Sequence, residues 1–384
     1  MYLDNAATSF PKPDCVCDAV DAWMRGGAAA AGRGSHRGSD EATQLVDRCR
    51  SQLTRLLGVH SPSQLVFTLN CTDSLNMVIQ GFLKPGDRVL GSRLDHNSVL
   101  RPLQAMKERR GITFDLVDFD PVTGIIDVDQ FSAQLAGEPV RLVVLTHASN
   151  VTGVIQPVAE LTRLAHAQGA VVLLDAAQTA GHFPISMAEL DVDFLAAAGH
   201  KGLLGPLGTG ILGIRTGLEG QLTPLRFGGT GTASESIEQP TEMPARFESG
   251  NLNLPGIAGL NAAVAWILKQ TVAQVHSHHS HCTQELLAEL SKVSGIRLLT
   301  PSAAANCGII TFAMNDQDCR EVAMILDQSF DIQCRAGLHC APLAHQALGT
   351  FHQGGAIRLS PGFATSQEDI RQTISAVTAI AALA

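Results

Sequence analysis

The segment DFLAAAGHKGLLGPLGTGILGI, residues 193–214, starts as an apolar run, breaks at Gly199-His200-Lys201, and returns to an apolar run after GLLGPLGTG, which carries four glycines. VDFLAAAG (192–199) and GTGILGI (208–214) are continuous rather than alternating in hydrophobicity. That is the pattern of strands buried on both faces. The glycine run fits neither GxxxxGK[ST] nor GxGxxG, so it is not a standard nucleotide loop. A lysine at the end of a buried strand, hemmed in by glycines, can reach into a cleft. Desolvation there lowers its pKa and favours Schiff-base chemistry.

The flanking sequence repeats the theme. LVFTL (65–69) leads into a helix from Thr72 to Leu83, and RVLGS (88–92) into a helix after Asn97. TFDLVDF (113–119) follows. RLVVLTH (141–147) precedes the helix PVAELTRLAHAQ, and AVVLLDAAQ (170–178) comes next. Strands alternating with helices imply an α/β fold with a large, mostly parallel, helix-covered sheet. Residues 220–250, rich in Gly, Thr, Pro and Glu, read as loop. After residue 255 a long helical stretch leads to strands at 296–300, 308–314 and 356–360, a helix at 320–328 and a terminal helix. This is a smaller C-terminal α+β domain. The expected division is 15–255 for the large domain, with 1–14 and 256–384 forming the small one.

Composition removes several classes of function. A net charge of −9, with Arg109-Arg110 the densest basic pair, argues against a nucleic-acid surface. The start MYLDNAATSF reads as no secretory leader, and no apolar run of about 18 residues reads as a membrane span. The nine cysteines are odd in number and show neither disulfide nor zinc spacing, so reduced thiols in a cytoplasmic protein are expected. Cys15 and Cys17 read as plain thiols of a first helix. HSHHSHC (276–282) could place His276 with His279, or His278 with Cys282, on one helix face. A solvated face is expected there, and no metal site.

In such sheets ligands bind beyond the carboxyl ends of the strands. Four ends are chemically loaded: Asp175 ends AVVLLD, His147 and Asn150 follow LVVLT, Asp95 and His96 follow RVLGS, and His200 and Lys201 follow FLAAA. A carboxylate ending an apolar strand is costly unless something cationic meets it. Asp175 as the partner of a pyridinium nitrogen, with Lys201, is the pairing that pyridoxal phosphate needs.

With these residues the resemblance is plain. YLDNAATSFPKP, NCTDSLN, LDHNSV, HASNVTG, LLDAAQ, GHKGLLGPLGTG, RFESGNLN, RAGLHCAP and IRLSPGFAT run in order nearly end to end. The chain resembles the class V, fold-type I pyridoxal-phosphate enzymes. More closely it is similar to the SUF-type (group II) cysteine desulfurases and selenocysteine lyases. The resemblance implies that Lys201 is the Schiff-base lysine, that Asp175 meets the pyridine nitrogen and Gln178 the phenolic oxygen, and that His96 stacks on the ring. It places Asn150 beside ring and substrate, and Thr72, Cys71 and His200 near the phosphate. Arg358 would hold the substrate carboxylate, with Arg335 also near the substrate. Cys340, in a stretch that looks too broken for a helix, would be the nucleophile that takes sulfur from L-cysteine. His339 and Arg335 would favour its thiolate.

The implied products are L-alanine and a persulfide on Cys340. The implied partners are L-cysteine or L-selenocysteine, a sulfur-accepting protein of the kind that feeds iron–sulfur cluster assembly, and a second copy of the chain in a homodimer. Several positions depart from the family pattern. Ala198 stands where a serine usually precedes Gly-His-Lys, Asn251 where a threonine often reaches the partner subunit's phosphate, and Ala176 at a common glycine position. FAT (363–365) replaces a usual YNT, and Asn70-Cys71 a common Gly-Thr. The alternatives are a selenocysteine lyase, another class V transaminase or lyase that does not need the thiol, and a non-catalytic relative acting as a binding subunit. Cys340 separates the desulfurase from the first two, because an aminotransferase has no use for it and selenocysteine chemistry can proceed without it.

Overall fold

The computed structural model describes residues 1–27, 29–232, 234–301, 305–315 and 317–382. Its large sheet is built from β1 (Leu65–Thr68), β2 (Arg88–Ser92), β3 (Thr113–Val117), β4 (Leu142–Thr146), β5 (Val171–Asp175), β6 (Phe194–Ala198) and β7 (Gly210–Ile214). The spatial order is β1-β7-β6-β5-β4-β2-β3. Every pairing except those made by β7 is parallel. Parallel neighbours need crossovers, and the helices α1 (Asp14–Gly26), α2 (Arg37–Leu57), α3 (Cys71–Phe82), α4 (Asn97–Arg110), α5 (Val128–Leu135) and α6 (Val158–Ala167) supply the connections and cover.

The continuous apolar runs are explained by cover on both faces. Along β4, Leu142 and Val144 face the core shared with α3 and α4, while Val143 and Leu145 face the core shared with α2 and α6. All four are buried, each worth about 1.5–3 kcal/mol of apolar transfer. β3, at the sheet edge, keeps alternating exposure.

The long helical stretch after residue 255 is two helices, α7 (Leu254–Gln270) and α8 (Val272–Leu290), broken at Thr271 with φ +68°. The apolar face of α7 joins the core under the large sheet. α8 packs instead with the second sheet, of order β10-β11-β9-β8, made of β8 (Ile296–Leu298), β9 (Ile310–Met314), β10 (Arg335–Gly337) and β11 (Ala356–Leu359). All its pairings are antiparallel. α9 (Cys319–Phe330), α10 (Pro342–Ala347) and α11 (Gln367–Ala381) complete the chain. The N-terminus returns to this sheet. Tyr2 and Asp4 bridge Gln333 and Ser360, and Leu3 lies in the small core. The packing therefore changes from one core to the other at Thr271.

Two local expectations are corrected, and one helix is added to the sequence reading. The RAGLHCAPLAH stretch is not helix-free, because α10 begins at Pro342, where proline suits the first helical turn. α2, of 21 residues, escaped the sequence reading altogether. The HSHHSHC face is not wholly solvated, since His279 is buried and Cys282 lies in the small core, while His276 and His278 are half-buried. No group of three metal-ligating side chains occurs among the described residues, and no helix there is long and apolar enough to cross a membrane.

Candidate active site

The carboxyl ends of β2, β4, β5 and β6 and the N-terminus of α3 surround a cleft of about 270 Å³. Parallel register puts Thr146 beside Asp175, and Asp175 beside Ala196, two residues before β6 ends. Lys201, just past β6, reaches into the same cleft, partly accessible. Enclosure lowers its pKa; Asp175 and the Cys71 thiol oppose that, and Arg358 and Arg335 add to it. Burial likewise raises the pKa of Asp175, against the Ala177 N–H at 2.9 Å and the charge of Lys201. The Cys71 thiol donates to Asp175 Oδ1 at 3.5 Å, and burial keeps it protonated.

One end of the cleft is a nest of donors. Asn70 caps α3 by accepting from Asp73 N at 2.9 Å. The N–H groups of Cys71 and Thr72 find no partner among the described residues. His200 also lines the cleft with its Nδ1 buried and unpartnered, and burial beside Lys201 lowers its pKa to about 4. Arg226 fixes this corner through a two-pronged pair with Asp73 at 3.0 Å. Gly210 lets β7 approach, since a Cβ there would lie 2.5 Å from the Asn70 backbone carbon. Ala198 contributes no hydroxyl.

His96 lines the opposite wall as N-cap of α4. Its Nδ1 accepts from Ser98 N at 3.0 Å, so Nε2 carries the proton, and burial with Lys201 nearby lowers its pKa to about 4. Its neighbour Asp95 turns inward and is fully buried. It accepts from Ser92 N at 2.8 Å and Thr146 Oγ1 at 2.8 Å, and burial raises its pKa to about 7. This network sets the β2–α4 turn that presents His96. His147 also turns away, to Thr179 Oγ1 at 2.9 Å. Gln178 donates to Ala6 O at 3.1 Å.

Above the cleft lies the Cys340 loop. Asn150 Nδ2 donates to His339 O at 2.6 Å, and Asn97 N donates to Cys340 O at 2.8 Å. His339 and Cys340 both have positive φ, +50° and +57°, at about 1–2 kcal/mol each for non-glycine residues. Those two bonds offset that strain. Cys340 is exposed, and an Arg335 N–H lies 3.6 Å from its Sγ. His339 is buried, and desolvation with Arg358 beside it pushes its pKa well down. It is neutral near pH 7, so Arg335 alone of the two expected residues brings a positive charge to the thiol. Arg358 does not line the cleft. It is 1% exposed, donating to Asp4 Oδ1 at 2.9 Å and to Asn150 O at 3.1 Å, with Nε unpartnered.

The cleft thus gathers Lys201, Asp175, Gln178, His96, Asn150, Thr72, Cys71 and His200, with Cys340, Arg335 and Arg358 one layer above. Sequence reading missed Thr146 and Ser98, which line the wall, and Asp4, which pairs with Arg358. Only the sheet register and the return of the N-terminus bring these in.

The class-V aminotransferase family pattern matches residues 1–373. The chain belongs to that family. A probable cysteine desulfurase of Methanothermobacter thermautotrophicus is 34% identical over 375 residues, covering 97% of this chain and 92% of the relative. One of Vibrio cholerae is 32% identical, covering 98% and 92%. The apo structure of a cysteine desulfurase from Thermococcus onnurineus NA1 superposes with a TM-score of 0.93 at 30% identity, covering 100% of this chain and 95% of that one. The fold is that of the fold-type I transferases, and the cofactor is pyridoxal 5′-phosphate. The donor set fits it: a buried carboxyl opposite a lysine of lowered pKa, and unpaired N–H groups with an orphaned imidazole nitrogen at a helix start suited to a phosphate.

Proposed function

We propose that this protein is a pyridoxal-phosphate-dependent cysteine desulfurase that moves the sulfur of L-cysteine onto Cys340 and releases L-alanine. The observation that carries the reading is the exposed Cys340, held by Asn150 and Asn97 over the cleft that contains Lys201 and Asp175. Lys201 would hold the cofactor covalently, Asp175 its ring nitrogen, Gln178 its ring oxygen, and the α3 N-terminus with Thr72, Cys71 and His200 its phosphate. When bound, the cofactor supplies a sink for the electrons of the substrate Cα–H bond.

The remaining work falls to the chain. The lowered pKa of Lys201 makes its free amine available as a base, so Nζ takes the Cα proton. Asp175, whose pKa is raised by burial, would face the ring nitrogen and keep it protonated. His96, neutral with the proton on Nε2, would pack against the ring. Asn150, which lines the cleft, would orient the substrate carboxylate, and Arg358, one layer above, would hold Asn150 through its carbonyl and add positive charge from behind. Arg335, beside Cys340 Sγ, favours the thiolate. That thiolate attacks the substrate sulfur. An S–S bond forms as the Cβ–S bond breaks, the electron pair stays with carbon, and protonation gives alanine. The persulfide is then reduced or passed to an acceptor protein.

Residues 15–255 with α7 would carry the cofactor, and 1–14 with the remainder would carry the Cys340 loop. Exposed Leu69, beside a groove of about 220 Å³ that also includes Asn251, with exposed Leu207 and Phe227, supports a homodimer. Nine unpaired cysteines support a cytoplasmic setting. The test is sulfide and alanine release from L-cysteine with a reductant, for the wild type and Cys340→Ala. Both products from the wild type and neither from the variant support the reading. Unchanged activity of the variant refutes it, and cleavage of selenocysteine alone by both forms indicates a lyase.

A further inference from the structure

Behind Cys340 runs a buried chain of side chains that the chemistry above does not use. Thr350 Oγ1 lies 2.7 Å from His345 Nδ1. His345 Nε2 lies 3.1 Å from His339 Nδ1, and His339 Nε2 lies 3.4 Å from the Arg335 carbonyl. Thr350 and His345 are fully buried, and His339 is 2% exposed. The two rings sit 5.2 Å apart, tilted by 39°.

The last contact fixes the direction of all the others. A carbonyl can only accept, so His339 Nε2 carries the proton and its Nδ1 is a lone pair. His345 Nε2 must then donate to it, which leaves His345 Nδ1 as a lone pair. Thr350 Oγ1–H fills that place. The hydroxyl also meets the His345 carbonyl, but at 3.5 Å, so the lone pair of Nδ1 at 2.7 Å is its closer acceptor. Each contact holds one proton, and both imidazoles are neutral. Burial with Arg358 nearby keeps them so.

This chain ends on the backbone of Arg335, whose guanidinium meets Cys340 Sγ. It passes through His339, whose own carbonyl is clamped by Asn150. The Cys340 loop is thus gripped by two backbone acceptors on one side and by a directional side-chain relay on the other. We propose that His345 is a positioning residue for sulfur transfer, holding through His339 the Arg335 carbonyl and so the placement of Arg335 against Cys340 Sγ. The inference rests on the role given to Cys340 above, and it adds a residue that does not itself touch the substrate.

The experiment compares the holoenzyme with His345→Leu, His345→Gln and Thr350→Val. Three quantities are read: kcat and KM for L-cysteine, the rate of Cys340 alkylation by iodoacetamide without substrate, and the cofactor's visible absorbance. Leucine removes both ring contacts. A glutamine amide N–H stands near the place of the imidazole Nε2–H and still donates to His339. His345→Leu should lower kcat roughly 10–100-fold, with KM within about 3-fold. It should slow alkylation about 5-fold as Arg335 leaves the thiol, with absorbance kept. His345→Gln should recover most of both losses. Thr350→Val, which leaves His345 Nδ1 buried without a donor but does not empty the site, should lose roughly 3–5-fold in kcat and decides the matter if the leucine variant does not fold.

Equal losses in the leucine and glutamine variants would make His345 a packing residue and overturn the proposal. So would unchanged kcat and alkylation in His345→Leu, or in Thr350→Val if only that variant folds. If the wild type releases no alanine from cysteine, the desulfurase reading fails. The alkylation series needs no turnover and still decides the role of His345.

Discussion

The floor and the roof of the cleft are built on different principles. The floor is sheet. Asp175 and the strand leading to Lys201 are neighbours by register, and each strand is buried on both faces. The roof is a turn of two residues with positive φ, held by single hydrogen bonds from Asn150, Asn97 and the His339 ring. A sheet places cofactor chemistry with no freedom to spare. A strained turn can be released and reset, as a thiol must be if it is to take sulfur in the cleft and give it up outside. The lesson is that loss of a floor group should abolish all chemistry, while loss of a roof group should spare the cofactor and cost only sulfur transfer.

The sharpest test of that contrast is Lys201→Ala. It should lower turnover by at least ~10³-fold on any amino-acid substrate and abolish the protein's yellow absorbance, read by spectrophotometry. Cys340→Ala comes next, with roughly 10²-fold or greater loss of sulfide release from cysteine while the absorbance stays, read by parallel assays of sulfide and cofactor. If Cys340→Ala also lost the cofactor, the separation of floor from roof would fail. A smaller and more selective effect is expected of Asn97→Pro. Asn97 is the first residue of α4, where proline is tolerated, and His96 before it is already extended at φ −70°, ψ 156°. The change removes only the N–H given to the Cys340 carbonyl. It should cost about 3–10-fold in kcat for cysteine with the unfolding midpoint in urea nearly unchanged.

The mildest prediction concerns acid. Burial holds His96, His147, His182, His200 and His345 at about 4, against about 6.5 unfolded. Their contribution to stability is complete above the unfolded value and is lost as pH falls through 4. Asp95, raised to about 7, and Asp175, also raised, act oppositely. Their contribution is complete below about 4 and lost as pH rises. His279 and His339, also pushed well down by burial, join the five histidines. Seven groups outweigh two, so unfolding near pH 5 should take up roughly five protons. Urea midpoints at pH 7 and pH 5 check this, with the lower midpoint at pH 5.

The floor was legible in the sequence because apolar runs ending in Asp175 and Lys201 are one-dimensional signals of buried parallel strands. The roof was legible only in part. Cys340 was found through resemblance, but α10, beginning at Pro342, was hidden by its shortness. The link from His345 to His339 depends on a turn that no periodicity announces. HSHHSHC misled for the opposite reason. Its helical spacing was correct, yet a helix wedged between two cores buries His279 against His182, their ring centres 5.0 Å apart, and puts Cys282 in the small core. α2 was missed although its apolar positions Leu45, Val46, Cys49, Leu53, Leu56 and Leu57 follow helical spacing. Asp95 was noticed, but whether it faced the ligand or the core turned on the three-residue reach back to Ser92.

Everything proposed for the cleft requires that substrate sulfur go to Cys340. The holoenzyme should be mixed with L-cysteine without reductant, quenched, digested without reduction, and its peptides weighed. The peptide carrying Cys340 should gain the mass of one sulfur atom, and the peptides of the other eight cysteines should not. Alanine release with Cys340 unmodified, or with the added sulfur on a different cysteine, would contradict it.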